Sequence, residues 1–312
     1  MDVIKEVVSV SIGSSKRDHT VDIELLGEHF RLSRIGTDGD LEAAAARFSE
    51  LDGTVAALGM GGIDLFLRVD GRKYFFRDAR KLVAGVRTTP VVDGSGLKGA
   101  VEAGVVTHMR DTLGLGLRGK RVLMTSAVDR WGMAEGLKDA GCEMIYADLL
   151  YGLDIPILIR RWNVLRAVVR VLMPVVTLLP FSVLYPTGSE QDKAPKRNDR
   201  AERLYAWADI VAGDWQYVRK YMPEDMRGKW IVTNTTTAAD VELARQRGVE
   251  LLVTSTPRLG GRSFGTNVIE ATLIALEGAG GELPAREYQQ LLTQIGFAPD
   301  VLWLQRDQVA TG

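Results

Sequence analysis

The chain has 312 residues, of which 46% are hydrophobic and 25% charged, and its formal net charge is -1. This composition predicts a globular protein large enough for two domains, with no global positive field that would attract nucleic acid. The single cysteine, Cys142, excludes an internal disulfide framework and is typical of a reducing compartment, so we expect a cytoplasmic protein.

The first 115 residues predict a mixed α/β domain, because hairpin signals and helical patterns alternate there. The pair Asp70-Gly71 is the strongest hairpin signal, and Asp40 is placed to cap a helix. Strands are predicted at 3–13, 20–26, 28–35, 54–60, 65–69, 73–77 and 89–96, and helices at 41–51 and 97–114.

Residues 116–277 alternate between strand and helix patterns, which predicts a Rossmann-like, doubly wound parallel sheet. The remaining residues, 278–312, form a C-terminal tail with one helix from about Pro284. In the second domain, strands are predicted at 121–128, 142–150, 209–214, 229–236 and 250–257, and helices at 131–141, 201–208, 215–222, 238–248 and 266–278.

One long apolar stretch, 164–186, interrupts this alternation. Its charge-free part, 171–185, contains Pro174 and Pro180 and is shorter than the ~20 residues of a spanning helix. The pattern favours a buried helix or a contact between two copies, as in a homodimer, over a membrane segment. Four arginines precede the charge-free part, and they leave contact with a membrane surface as the weaker alternative.

Ligands of open parallel sheets bind beyond the carboxyl ends of the strands, and the loops there are rich in hydroxyl, amide and glycine groups. These residue types also occur as ordinary turn and capping residues. Several such loops at one edge favour a polar ligand. The residues that we expect to bind a dinucleotide, NAD or NADP, are Ser126, Asp129, Arg130, Asp148, Thr187, Gly188, Asn234 and Thr235.

The turn that contains Ser126 matches the G-x-G-x-x-G pattern poorly, because only Gly132 is near a glycine position. Asp148 closes the next strand about 20 residues on, where an acid binds a ribose hydroxyl and favours NAD. The alternative for Asp129 is a helix cap, whereas Arg130 is placed to contact phosphate.

The glycine-rich stretch around Arg262 and Ser263 predicts a site for an anion, since arginine binds carboxylates and phosphates and a helix begins directly afterwards. Ser263 or Thr266 is expected to cap that helix. The alternative is a simple turn with a surface arginine.

A second polar group, Gly13–His19, follows the first strand and contains Ser14, Ser15, Lys16 and His19. His19 can act as an acid or base near neutral pH, and the two serines can contact a substrate. The alternative is a basic surface loop. No spacing of histidine, cysteine or acidic residues indicates a metal site.

The second half resembles the nucleotide domain of the shikimate/quinate dehydrogenase family in LRGKRVLM, ADIVAG and KWIVTNTTTAADVELARQRGVELL. GSSKRDH, YPTGSEQ and GRSFGTN extend the resemblance, to bacterial quinate 5-dehydrogenases, over nearly the whole chain. The resemblance implies a catalytic lysine and aspartate, and the residues nearest to those motifs are Lys98 in VDGSGLK and Asp38 in GTDG. The alternative for Lys98 is a solvated residue in the first turn of a helix.

Two functions remain open from these observations. The first is an NAD(P)-dependent oxidoreductase that acts on a hydroxyl of a small polyhydroxy carboxylate, with Lys98, Asp38, Lys16 and His19 as proton-handling residues. The second is a non-catalytic, Rossmann-like sensor for a phosphorylated metabolite, which the poor glycine pattern favours.

Overall fold

The computed structural model describes residues 4–179, 199–256, 258–259, 262–263 and 265–305, with side chains for all of these except 258–259 and 262–263. The contacts divide into two compact units, each assembled from several segments, whereas the sequence predicts continuous domains. The first unit takes its described residues from Met1–Ala100, Val171–Asp192 and Gly265–Phe297, and the second takes its residues from Val101–Arg170, Lys193–Phe264 and Ala298–Gly312.

The first unit contains a five-stranded sheet in which four strands are parallel. The fifth strand pairs antiparallel at one edge. In spatial order, the strands are β2 (His19–Leu25), β3 (Glu28–Gly36), β1 (Lys5–Ser11), β4 (Ala57–Gly61) and β7 (Val91–Val92). A separate hairpin joins β5 (Phe66–Val69) and β6 (Arg72–Phe75).

Both predicted hairpins of the first unit are present, and their turns explain why. Leu26 and Gly27 have φ angles of 51° and 83°, and Asp70 and Gly71 have φ angles of 51° and 76°. Two successive residues with positive φ are the requirement of the tight hairpin turn that matches strand twist, and glycine at the second position meets it without strain.

The second unit contains a six-stranded sheet with five parallel strands. In spatial order, the strands are β9 (Glu143–Tyr146), β8 (Arg121–Met124), β10 (Ile210–Ala212), β11 (Trp230–Thr233), β12 (Leu251–Thr254) and β15 (Asp300–Trp303). The order is that of a doubly wound α/β sheet, so the predicted mixed α/β class with a Rossmann-like unit is confirmed.

Helices follow most of the parallel strands. In chain order, they are α1 (Leu41–Leu51), α2 (Arg77–Leu82), α3 (Ser95–Thr107), α4 (Trp131–Asp139), α5 (Asp148–Leu153), α6 (Trp162–Val176), α7 (Asp199–Trp207), α8 (Trp215–Lys220), α9 (Ala238–Gln246), α10 (Thr266–Glu277) and α11 (Ala285–Gln294). The central strands are buried along nearly their whole length, as expected for parallel strands covered by helices on both faces.

Three local predictions differ from the structure. The N-cap position of α4 is occupied by Arg130 rather than by Asp129. The side chain of Arg130 makes no capping hydrogen bond. Gly265 precedes α10 without a side-chain cap, so neither Ser263 nor Thr266 has the predicted capping role. The tail contains β15 in addition to its predicted helix, because β15 pairs antiparallel with β12 at the sheet edge.

Candidate functional site

In the parallel sheet of the second unit, the strand order reverses between β8 and β10. The connection from β8 leads to β9 on one side, and the connection from β10 leads to β11 on the other. Ligands of doubly wound sheets bind beyond the carboxyl ends of the strands at such a point. Gly213 lies here with a φ of 135°, and a Cβ atom on it would lie 2.2 Å from Thr125 Oγ1. The loops after β8 and β10 are therefore in close contact.

A buried arginine, Arg130, connects these loops. Its guanidinium nitrogens lie 3.1 Å from Glu102 Oε1, 3.3 Å from Asp129 Oδ2 and 2.7 Å from Asp214 Oδ2. The side chains of Arg130 and Glu102 are only 6% and 2% exposed. Burying ions is costly unless they are paired and hydrogen-bonded, so this cluster depends on its internal contacts.

Asp214 extends the cluster to the next strand. Asn234 Nδ2 donates to Asp214 Oδ2 over 2.8 Å, and Trp215 N donates to Asn234 Oδ1 over 3.0 Å. Ser126 Oγ accepts a hydrogen bond of 2.8 Å from Asp214 N. Four of the predicted cofactor residues, namely Ser126, Asp129, Arg130 and Asn234, are thus brought together around an aspartate that the sequence reasoning missed. The signal for Asp214 was its place at the end of the predicted strand 209–214.

Asp148 binds the turn between β8 and α4. Its Oδ1 accepts a hydrogen bond of 2.8 Å from Val128 N, whereas its Oδ2 is buried without a partner among the described residues. Burial raises the pKa of Asp148 to about 6, against the lowering effect of the backbone N–H groups of Val128 and Ala127. The backbone groups that bind pyrophosphate in dinucleotide folds therefore already donate to an internal carboxyl group.

Three buried polar groups lie at the carboxyl ends of the next strands. Trp215 follows β10, Thr236 follows β11, and Ser255 follows β12; their exposed fractions are 2%, 5% and 0%. Trp215 Nε1, Thr236 Oγ1 and Ser255 Oγ have no hydrogen-bond partner among the described residues. These loops are joined, because Trp215 N donates to Asn234 and Ser255 N donates to Thr233 O over 2.8 Å.

In the first unit, the loop after β1 folds around Arg34 at the end of β3. Arg34 Nη1 lies 2.7 Å from Asp18 Oδ1, and it also donates to Ser14 O over 3.0 Å. Burial lowers the pKa of Arg34, and Asp18 opposes this effect. Sequence reasoning missed Arg34, because alternation along a strand does not show which side chain a distant loop will contact.

The other predicted residues of this loop have mainly local contacts. Ser14 Oγ accepts from Lys16 N over 3.3 Å, and His19 Nδ1 lies 3.0 Å from Arg17 O. Ser15 N donates to Asp38 Oδ1 over 2.8 Å, and this bond lowers the pKa of Asp38.

Lys98 pairs with a different aspartate from the expected one. Its Nζ lies 2.8 Å and 2.9 Å from the two carboxylate oxygens of Asp64, which follows β4. Asp38 lies after β3 and Lys98 after β7, three strand positions apart, which corresponds to about 14 Å. The structure therefore brings Lys98 to Asp64 and leaves Asp38 with the loop after β1. Asp64 had a weak signal, a glycine-led loop after a buried strand.

The remaining predicted site residues have less structural detail. Thr235 is half-buried beside Asn234. Arg262 and Ser263 lie in a two-stranded ribbon formed by β13 (Arg258–Leu259) and β14 (Arg262–Ser263), and their side chains fall outside the described part. Thr187 and Gly188 lie outside the described residues.

Neither a metal site nor a membrane span is found in the described part of the chain. No group of three or more histidine, cysteine, aspartate or glutamate side chains could hold a metal ion there. Among the helices of that same part, none is long and apolar enough to cross a membrane.

Sequence comparison identifies the chain at the family level. A family described as "Domain of unknown function (DUF8754)" matches residues 96–304. The chain belongs to this family. A second family, "Domain of unknown function (DUF8753)", matches residues 6–93. The DUF8754 match contains the whole six-stranded sheet of the second unit. No curated protein matches the chain.

Solved structures similar to this DUF8754 protein are distant. Glutamate dehydrogenase from Thermus thermophilus is 12% identical, with a TM-score of 0.42, over 94% of this chain and 73% of that one. Malic enzyme from Entamoeba histolytica is 10% identical, with a TM-score of 0.41, over 92% and 61%. The arabinose-binding protein AraP from Geobacillus stearothermophilus is 10% identical, with a TM-score of 0.35, over 81% and 82%. Dehydrogenases and sugar-binding proteins thus both occur among the similar structures, and likenesses this distant say nothing about activity.

Proposed function

We propose that this protein binds a small polyhydroxy carboxylate at the carboxyl ends of β10, β11 and β12. The observation that carries the proposal is that Trp215 Nε1, Thr236 Oγ1 and Ser255 Oγ, which follow three neighbouring strands, are buried without hydrogen-bond partners among the described residues. Each unsatisfied buried polar group costs about 1–3 kcal/mol. A ligand with several hydroxyl groups can donate to the two hydroxyls and accept from the indole N–H, which offsets that cost.

Quinate and shikimate are the probes for this proposal, in isothermal titration calorimetry of the purified protein. Removing one hydroxyl by Ser255→Ala is expected to weaken binding by about 10–100-fold, because the ligand group loses its partner in a buried site. The free protein should keep or slightly gain stability, since an unsatisfied polar atom is removed.

Thr272→Val is the matched control. Thr272 is also buried, but it belongs to α10 of the first unit, and its hydroxyl donates to Val268 O over 2.8 Å. Unchanged affinity of the Ser255→Ala variant, or no binding of either probe to the wild-type protein, would contradict the proposal.

An NAD(P)-linked oxidoreductase acting on the same substrate class is the second candidate. It is favoured by Lys98, which is 8% exposed and contacts both carboxylate oxygens of Asp64. A lysine held by a carboxylate can accept or return the proton of a substrate hydroxyl. The turn after β8 does not fit a pyrophosphate, because Val128 N donates to Asp148 and Arg130 is enclosed by acidic side chains.

The two candidates differ in their response to NADH and NADPH. Binding of either should change the tryptophan fluorescence, and quinate with NAD or NADP should increase absorbance at the nicotinamide band. Lys98→Met should then abolish turnover but retain quinate binding. If the wild-type protein binds quinate but responds to neither dinucleotide, the oxidoreductase candidate is rejected and the binding function stands.

A further inference from the structure

Arg219 is a half-buried cation of the second unit, and it belongs to α8. It lies four residues after Trp215, so the two side chains share one face of the helix. Side chains of a helix lean toward its N-terminal end, which for α8 is the end next to the carboxyl end of β10. The long side chain of Arg219 is therefore placed to reach the edge of the sheet at which Trp215 lies.

The guanidinium of Arg219 is enclosed, but its donors are not all used. Its Nε is buried and has no hydrogen-bond partner among the described residues. Asp240 Oδ1 lies 3.7 Å from Nη1, which is an ion-pair distance but too long for a hydrogen bond. The side chain of Arg219 is 21% exposed, so it is not sealed inside the protein. Arg219 thus keeps an N–H donor for an acceptor that the described chain does not supply.

Another arginine of this protein shows the opposite case. The side chain of Arg34, in the first unit, is 15% exposed. It donates to Asp18 Oδ1 over 2.7 Å, and to Ser14 O and Ser11 Oγ over 3.0 Å and 2.9 Å. An enclosed N–H of a charged group is destabilising when it has no acceptor. The contrast between two arginines of similar exposure therefore points to a ligand that completes the contacts of Arg219.

Asp240 connects Arg219 to the carboxyl end of β11. The other oxygen of Asp240, Oδ2, accepts hydrogen bonds of 2.8 Å and 2.7 Å from Thr237 N and Thr237 Oγ1. Thr237 directly follows Thr236, whose hydroxyl is one of the three buried groups of the proposed binding site. A short chain of contacts thus joins the guanidinium of Arg219 to the loop after β11.

A carboxylate matches the free donor edge of this guanidinium. Nε and one Nη of an arginine form a planar fork that donates to both oxygens of a carboxylate. With Asp240 only 3.7 Å from Nη1, a singly charged carboxylate fits better than a doubly charged phosphate. We propose that Arg219 binds the carboxylate of the ligand whose hydroxyl groups meet the three buried groups at β10, β11 and β12. This assignment rests on the proposed function and makes the site selective for the anion over an uncharged polyol.

Titration calorimetry with quinate and its methyl ester tests the assignment, because the ester keeps the hydroxyl groups and carries no charge. The wild-type protein should bind quinate about 10–100-fold more tightly than methyl quinate, since the ester loses the charged hydrogen bonds to Arg219. Arg219→Gln should weaken quinate binding by about 10–100-fold and leave ester binding within about threefold. The preference for the anion should therefore disappear in this variant.

Two further variants separate the loss of charge from the loss of a contact. Lys220→Gln removes the same charge from the next residue of α8, and it should keep the preference of the wild-type protein. Ser255→Ala should weaken the binding of quinate and of methyl quinate by the same factor, because its hydroxyl meets a hydroxyl group that both ligands carry.

Melting temperatures show whether each variant is folded. If Arg219→Gln does not fold, Arg219→Lys replaces it, since lysine keeps a charge beside Asp240 but lacks the planar fork. The preference of Arg219→Lys for quinate over its ester should then be at least about fivefold smaller than that of the wild-type protein.

Four results would overturn the role of Arg219. They are equal affinities of the wild-type protein for quinate and its ester, an equal loss of both affinities in Arg219→Gln, a preference that this variant leaves intact, and a preference that Arg262→Gln removes instead. If Ser255→Ala still weakens quinate binding, the proposed function stands and only the assignment of Arg219 is rejected. If the wild-type protein binds neither quinate nor shikimate, both are rejected.

Discussion

At the carboxyl ends of both sheets, an aspartate accepts a hydrogen bond from the backbone N–H of a turn, but the pKa values of the two aspartates are shifted in opposite directions. In the first unit, Ser15 N donates to Asp38 Oδ1 over 2.8 Å, and in the second, Val128 N donates to Asp148 Oδ1 over 2.8 Å. Each aspartate follows a strand that neighbours the strand before the turn. The pKa of Asp38 is lowered, mainly by the Ser15 N–H, whereas burial raises the pKa of Asp148 to about 6.

This comparison separates two effects that act on every carboxyl group. A hydrogen bond from a backbone N–H favours the charged form, and removal from water disfavours it. Asp38 is exposed to solvent, so the hydrogen bond dominates. The carboxyl group of Asp148 is enclosed, so desolvation dominates although the bond has the same length. Of the two aspartates, the one in the first unit thus binds its turn as a solvated group, and the one in the second unit binds its turn as an enclosed group.

The largest expected change in the free energy of unfolding comes from replacing an ion-paired arginine in each unit. Arg130→Met removes the cation from Glu102 and Asp214, and the unpaired buried acids should lower the free energy of unfolding by about 3–5 kcal/mol. Arg34→Met in the first unit should cost about 1–3 kcal/mol, because its partner Asp18 is more exposed. Urea unfolding measures both. Equal losses would show that enclosure does not distinguish the two edges.

A second test asks whether burial acts in the same way in the first unit. Glu270 in α10 is 1% exposed, accepts a hydrogen bond from Tyr288 Oη, and has a second oxygen without a partner among the described residues. Burial raises its pKa to about 8, and Asp93 and Glu282 act in the same direction. The stabilising protonated form is present at low pH and is lost as pH rises through about 8.

Glu270→Gln should therefore stabilise the protein at pH 9 by about 2–4 kcal/mol and have little effect at pH 5. Denaturant unfolding at the two pH values is the measurement. A variant that is destabilised equally at both would mean that the carboxyl group is held charged, against the burial argument.

The smallest effect compares the two turn-binding aspartates directly. Because the pKa of Asp148 is raised from 3.8 to about 6, its protonated form stabilises the fold, and this stability is lost as pH rises from about 4 to 6. Asp148→Asn should remove that loss and stabilise the protein at pH 8 by about 1–3 kcal/mol.

Asp38→Asn should have the opposite sign. The pKa of Asp38 is lowered, so its contribution is present above about pH 4 and is lost as pH falls below that value. The variant should be slightly less stable at pH 7, and the difference should shrink as pH falls below about 4. The same sign for both aspartates would show that burial and the backbone hydrogen bond do not act in opposite directions.

The sequence predicted the fold better than the site. Strand and helix patterns located most elements, and Asp70-Gly71 identified a hairpin, because these signals are local. The helix caps at Asp129, Ser263 and Thr266 were wrong, since the cap depends on where the preceding loop directs the chain. β15 was missed because its pairing with β12 joins segments about 50 residues apart.

For the site, residue type and loop position were enough to select Ser126, Arg130 and Asn234, which the structure brings together. Their common partner, Asp214, was not selected. Lys98 was selected with Asp38 as its partner, but it contacts Asp64. Such pairs depend on the order of the strands in the sheet, which cannot be predicted from the local patterns of a single sequence.

The α/β class, the hairpins and the set of polar loops could be predicted from the sequence, because hydrophobic periodicity and turn chemistry act over a few residues. Which carboxyl group binds which turn, and which of them is enclosed, became visible in the folded chain. The physical reason is that desolvation and ion pairing depend on neighbours from distant segments, so chemically identical aspartates, Asp38 and Asp148, have pKa values shifted in opposite directions.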